Sequence, residues 1–174
     1  ETLSSTKNIS EVRKHTILNV GRLDCNKAQD LLIKAFANVK NHDWNLIFVG
    51  DGELSDQYQT ITQELGLNDK IIFTGNINNI QDYYNDGMIN IFAFTSKSEG
   101  FPNALVEAMY FEMACVSTDC PTGPSEVIED NKNGFLIDVD SQPQLESKLQ
   151  KLMDSETLRI SFGKEAYKKT KSFE

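Results

Sequence analysis

Apolar runs of five to seven residues recur along the chain, each followed by a helical pattern. The runs are TILNVG (16–21), NLIFVG (45–50), KIIFTG (70–75), MINIFAF (88–94), ACVST (114–118) and GFLIDV (134–139). Between the first two, KAQDLLIKAFANV (27–39) places Leu31, Leu32, Ala35, Phe36 and Val39 on one helical stripe. GELSDQYQTITQEL (52–65) repeats this with Leu54, Tyr58, Ile61 and Leu65, and the tail over 143–169 reads as two further amphipathic helices. Strand and helix alternating at this spacing mean βαβ units. Strands that are nearly continuous apolar runs are covered on both faces, as in a parallel sheet. The pattern predicts one doubly wound α/β domain of about six parallel strands with helices on both faces.

The 174 residues suffice for one ordinary domain with a proper core. Seventeen Lys and Arg stand against 26 Asp and Glu, a formal charge of −9. That balance argues against nucleic acid or an anionic membrane as the main partner. No run of roughly 18 apolar residues offers a transmembrane segment. Residues 1–14, opening on the polar ETLSSTKNIS, read as a linker or lead-in without a signal core. Cys25, Cys115 and Cys120 are an odd set without metal-ligand spacing, and unpaired thiols fit a cytoplasmic location. His15 and His42 read as ordinary surface residues.

An open parallel sheet binds ligands beyond the carboxyl ends of its strands. Gly21, Gly50 and Gly75 close three of the runs and allow sharp turns and close approach there. VGDGE (49–53) fails as G-x-G-x-x-G, because Ser55 stands where the third glycine should, and it reads as a tight turn into a helix. There is no G-x-x-x-x-G-K-[ST]. GRLDCNK (21–27) puts Arg22 and Lys27 between the first strand and first helix, where a basic pair can cradle phosphate oxygens. DVD (138–140) could hold a metal, but Asp140 or Ser141 as a helix N-cap accounts for it. In TDCPTGPSEVIED (118–130), a turn leads into a helix beginning at Ser125 and Glu126.

EGFPNALVE (99–107) is the most informative stretch. Pro102 suits the first position of a helix that carries Asn103, Glu107 and Tyr110 on one stripe. A solvent-facing stripe would explain Glu107 without function. Against this, the helix starts at the carboxyl end of the fourth strand, so its N-terminus and Glu99 face the ligand crevice. N–H groups for an anion beside two carboxylates for hydroxyls describe a sugar nucleotide.

In this order, VGRL…K, VGDGEL, EGFPNALVEAM with its E-x7-E, and TDCPTGPSEVIEDNKNGFLI resemble the C-terminal domain of the group 1 (family four) retaining glycosyltransferases. The resemblance runs from about Ile17 to the end of the chain. It implies one half of a GT-B architecture of two facing Rossmann-like domains, with residues 15–174 as the donor-binding half and the N-terminal acceptor domain absent. It implies that Arg22 and Lys27 grip the donor diphosphate and that Glu99 contacts the transferred sugar, which makes these three the catalytic set. Glu107 would accept from the ribose hydroxyls. Gly100, Phe101, Pro102, Asn103 and Ala104 would form the loop and helix N-terminus around sugar and phosphate, with Gly21 and Gly50 beside them. Asn76 and Ile77 would meet the base.

The expected substrate is a UDP- or GDP-linked sugar, with no metal or other cofactor. The expected activity is hexosyl or N-acetylhexosaminyl transfer with retention, in polysaccharide or cell-surface glycan synthesis. The acceptor, a glycan or lipid-linked glycan, and any peripheral membrane contact would belong to the absent half. Alone, this half is expected to transfer sugar poorly or not at all. A non-catalytic nucleotide-sugar module and a GT-B epimerase or phosphorylase are the alternatives. A flavodoxin-like domain would leave Arg22, Lys27, Glu99 and Glu107 unexplained. Two departures touch loop geometry: Ala28 replaces the usual glycine after the lysine, and Glu112 and Ala114 occupy the places of Gly-x-Pro.

Overall fold

A computed structural model describes residues 15–85 and 89–173, with Ile89 described by its backbone alone. The expected lead-in 1–14 lies outside the described residues, as does Met88 of the fourth apolar run. All six expected strands form: β1 (Thr16–Val20), β2 (Asn45–Val49), β3 (Ile71–Phe73), β4 (Ile89–Phe94), β5 (Ala114–Thr118) and β6 (Phe135–Ile137). They make one fully parallel sheet in the order β3-β2-β1-β4-β5-β6. The helices are α1 (Gln29–Asn38), α2 (Ser55–Glu64), α3 (Ile80–Tyr84), α4 (Asn103–Tyr110), α5 (Pro124–Val127), α6 (Gln142–Asp154) and α7 (Glu156–Thr170).

Alternation along each strand builds two cores. Ile17, Leu46, Phe48, Ile91, Ala93 and Val116 point to the face covered by α1, α2 and α6. Leu18, Ile47, Val49, Phe92, Phe94 and Cys115 point to the opposite face, under α3 and α4. Helix α7 serves both, through Phe162 on the first face and Ala166 on the second. Asn19 is one of several buried polar residues in the strands, with Thr16, Ser117 and Thr118, and its amide donates to the carbonyl of Ala93 at 2.9 Å.

The tail divides into two helices at Ser155, which ends α6 and caps α7, its hydroxyl accepting from the N–H of Leu158 at 3.1 Å. Ser141 caps α6, accepting from Gln144 N–H at 3.4 Å, which bears out the capping reading of DVD. Helix α3 is absent from the sequence expectation, because five residues, IQDYY, are too few to show a period. The turn 124–127 starts at Pro124, one residue before the expected Ser125.

Both departures from the family's glycine pattern fall on left-handed backbone. Ala28 precedes α1 at φ 51°, ψ 41°. Glu112 follows α4 at φ 61°, with its own N–H bonded to Met109 O and the N–H of Met113 bonded to Ala108 O, both at 3.1 Å. That pair of hydrogen bonds is the Schellman ending, which normally carries glycine at this position.

Candidate functional site

The strand order reverses between β1 and β4, since β1 leads outward through β2 and β3 while β4 starts the other half. Loops leaving such neighbours diverge and open a crevice at the carboxyl end of the sheet. The loop after β1 carries Gly21, Arg22 and Lys27, and the loop after β4 carries Glu99 to Pro102.

These loops are sewn together. Asn26 donates its amide to Ser98 O at 2.9 Å and accepts from the Ser98 hydroxyl at 2.8 Å. Lys97 N–H donates to Asn26 O at 2.8 Å, and the Thr95 hydroxyl to Lys27 O at 2.7 Å. Across the seam the Lys27 ammonium pairs with Glu99 Oε1, with side-chain exposures of 25% and 13%. The Ser96 hydroxyl donates to the same oxygen at 2.8 Å. Arg22 behaves differently. Its side chain is 64% exposed, with Nε 3.8 Å from Asp24 Oδ2, while its carbonyl accepts from Gln29.

Gly50 and Gly52 have a packing reason to be glycine. A Cβ on Gly50, at φ 135°, would lie 2.0 Å from Gly21 O, and one on Gly52 would lie 2.3 Å from Leu23 O. VGDGE is therefore the wedge on which the β1 loop rests, a tighter version of the turn expected from sequence. Leu23 N–H bonds Asp51 O, and Leu54 N–H bonds Leu23 O, to complete the seam.

The Glu99–Pro102 loop is braced by the loop after β5. Thr122, itself at φ 55°, donates its hydroxyl to Glu99 O at 2.5 Å. Gly123, at φ 126°, approaches so closely that a Cβ would meet Pro102 Cδ at 2.8 Å and Gly100 O at 2.9 Å. Gly100 and Phe101 are exposed, and Pro102 is buried. Pro102 is the N-cap rather than the first helical residue, with φ −83°, ψ 71°. It has no N–H, and the Asn103 N–H is spent on Phe101 O at 2.9 Å. Among the described residues, the N–H groups of Ala104 and Leu105 are thus the unpaired donors of this turn, ahead of the Val106 bond to Pro102 O.

Asn103, Glu107 and Tyr110 share an exposed face of α4, as the periodicity predicts. That face is not bare. Glu107 lines a cavity of about 510 Å³ with Ile80, Gln81, Tyr84, Val106 and Tyr110. Burial, and next the Glu107 carboxylate, push the Tyr84 phenol far above its ordinary pKa. Asn76 and Ile77 follow β3, which is separated from β4 by β2 and β1. Helix α3 carries the chain back across that gap, and Ile77 packs in the same core as Tyr84 and Leu105.

The carboxylates of DVD are occupied locally. Asp138 exchanges bonds with Gln144 at 2.7 and 2.8 Å, and Asp140 lies 4.0 Å from Lys97. His15 is half-buried rather than a plain surface residue, with its ring 5.4 Å from that of Trp44.

The sequence profile of the family described as "Glycosyl transferases group 1" matches residues 2–169. The chain belongs to that family. It is 35% identical over 158 residues to the N-acetylgalactosamine-N,N'-diacetylbacillosaminyl-diphospho-undecaprenol 4-alpha-N-acetylgalactosaminyltransferase of Campylobacter jejuni, covering 91% of this chain and 42% of that one. It is 30% identical over 161 residues to the amylovoran biosynthesis glycosyltransferase AmsD of Erwinia amylovora, covering 92% and 45%. The C-terminal domain of LpcC, a glycosyl transferase group 1 family protein from Francisella tularensis, superposes with a TM-score of 0.83 at 27% identity, covering 91% of this chain and 85% of that one. A mutant of Staphylococcus aureus TarM, crystallised with fondaparinux, alpha-GlcNAc-glycerol and UDP, superposes at 0.85 with 26% identity, covering 92% and 34%. The chain spans 42–46% of the length of these and similar curated relatives.

For a group 1 glycosyl transferase the seam between the β1 and β4 loops becomes the feature of interest. Sequence reasoning found its ends, Lys27 and Glu99, but missed Asn26, Thr95, Ser96, Ser98 and Thr122, which hold them. The hydroxyl-rich run TSKS (95–98) before Glu99 was the available signal. Among the described residues no helix is long and apolar enough to cross a membrane.

Proposed function

We propose that this domain binds the nucleotide-sugar donor of a retaining glycosyltransferase that builds polysaccharide or another cell-surface glycan in the cytoplasm. One observation carries the reading: Lys27 and Glu99, from loops 72 residues apart, meet at the reversal point of the sheet. A cation and an acid held together there suit a substrate with a diphosphate at one end and hydroxyls at the other. UDP is the favoured nucleotide, since the TarM relative was crystallised with it and the Campylobacter relative is named as an N-acetylgalactosaminyltransferase.

In this reading the diphosphate lies between Lys27, the exposed Arg22 and the first-turn N–H groups of Ala104 and Leu105. Cleavage of the anomeric C–O bond leaves negative charge on the departing nucleotide, and these donors stabilise it. Removing one preorganised donor of this kind typically costs about 100-fold or more in rate. The sugar lies against Gly100, Phe101, Asn103 and Glu99, the ribose on Glu107, and the base near Asn76 and Ile77. Gly21 and Gly50 keep the floor of the crevice low. With two cations at the leaving group the reading invokes no metal, so chelators should leave transfer unchanged. The acceptor, a glycan or lipid-linked glycan, is bound by a second, N-terminal half.

Calorimetric titration with UDP, GDP and ADP, repeated on Glu107→Ala, tests this. Binding of one nucleotide, weakened about tenfold by the loss of ribose hydrogen bonds to a charged acceptor, supports it. If no nucleotide binds either this domain or a two-domain protein containing it, the reading fails.

A further inference from the structure

Glu99 is held by more groups than a crevice carboxylate needs. Ser96, 1% exposed, donates its hydroxyl to Oε1 at 2.8 Å, and the Lys27 ammonium meets the same oxygen. The Glu99 carbonyl accepts from Thr122. Ser96 is fixed in turn, its carbonyl accepting from the buried Thr118 hydroxyl at 2.6 Å. Lys27 is anchored at its backbone by Thr95, at 2.7 Å, and by Asp24 Oδ1, at 2.9 Å from its N–H.

A lysine–glutamate pair between two long side chains gains little when it must also hold both in one geometry. A buried hydroxyl on the carboxylate changes that, because it selects one rotamer of the acid before the cation arrives. Both donors use Oε1, which leaves Oε2 without a hydrogen-bond partner among the described residues. An ammonium carries three N–H bonds. One on Glu99 leaves two for phosphate oxygens.

We propose that Ser96 is a positioning residue of the donor site: its hydroxyl orients Glu99, and through Glu99 it aims the Lys27 ammonium at the donor diphosphate. This rests on the donor-site reading above. Ser96 itself touches no substrate. It acts through a carboxylate whose one oxygen serves the protein and whose other oxygen serves the sugar.

The test compares UDP with uridine, which lacks the phosphates that Lys27 would meet. Dissociation constants are measured by NMR titration on wild type, Ser96→Ala, Glu99→Gln and the double variant. The expected result is UDP weakened about tenfold in Ser96→Ala, the worth of one hydrogen bond to a charged group, with uridine unchanged. On the Glu99→Gln background the same substitution should add nothing, because residues acting as one chain are non-additive. Unchanged or tighter UDP binding, equal weakening of both ligands, or a full effect without Glu99 would each overturn the proposal. If Ser96→Ala does not fold, Ser96→Cys keeps the packing with a weaker donor and is held to the same criteria. Wild type that binds UDP no better than uridine would overturn the donor-site reading itself, and this proposal with it.

Discussion

Glu112→Gly should make this protein more stable. Glu112 lies just beyond α4 in left-handed backbone, φ 61°, and closes the helix through the bonds Glu112 N–H to Met109 O and Met113 N–H to Ala108 O. An L-residue in that conformation costs roughly 1–2 kcal/mol. Glycine removes the cost but adds about 0.4–1 kcal/mol of unfolded-state entropy. Losing a carboxylate at the negative end of a helix returns about 0.3 kcal/mol more. The side chain is exposed and makes no ion pair or hydrogen bond among the described residues, so little else is lost. The net gain is about 1 kcal/mol, or about 2–4 °C in Tm for a domain of this size.

Urea unfolding of wild type, Glu112→Gly and Glu112→Ala separates the parts, because alanine recovers only the charge contribution. Glycine no more stable than alanine would refute the backbone argument. Ala28 sharpens the test. It has the same left-handed geometry, φ 51°, but is 2% exposed. Ala28→Gly forfeits a buried methyl worth about 0.8 kcal/mol in addition to the entropy. Its stability should therefore stay near wild type, although the relief at the backbone is equal.

Gly52→Ala should destabilise by about 3 kcal/mol or more in urea, because its Cβ would lie 2.3 Å from backbone oxygen at Leu23. Gly100→Ala, with nothing within 4 Å, should stay within about 0.5 kcal/mol. Gly123→Ala should displace the donor loop at Gly100 and Pro102 and weaken UDP about tenfold by calorimetry, the cost of about one lost hydrogen bond; unchanged affinity would show that the brace is idle. Stability should also fall in alkali. Burial pushes the Tyr58 and Tyr84 phenols and the Cys115 thiol well above their ordinary values of 10.0 and 9.0. The folded state keeps protons that the unfolded chain releases, so this contribution is intact below pH 9.0 and is lost as pH rises above each ordinary value. The slope is about 1.4 kcal/mol per pH unit per group. A urea midpoint that stays flat to about pH 11 would contradict it.

The sheet was legible because strands buried on both faces are nearly continuous apolar runs, and the LIFV of β2 or the ACV of β5, set between turn residues, reads that way. Helix α3 was not, because five residues hold less than two turns of signal. The glycines divide instructively. Gly50 and Gly52 looked like turn residues or a failed nucleotide motif, yet what forbids a side chain there is Gly21 and Leu23, about 30 residues away in the chain. The same limit governs the site. Residue type marked Lys27 and Glu99 as chemically able, and family resemblance marked their roles. Neither could show that Lys27 and Ser96 would converge on one oxygen of Glu99, because that depends on β1 lying beside β4 and on Thr118 reaching from β5 to fix Ser96. Local sequence selects the groups that can act, and strand order decides which of them meet. The residues hardest to read in advance are therefore those, like Ser96 and Thr122, whose whole contribution is to hold another side chain or loop in place.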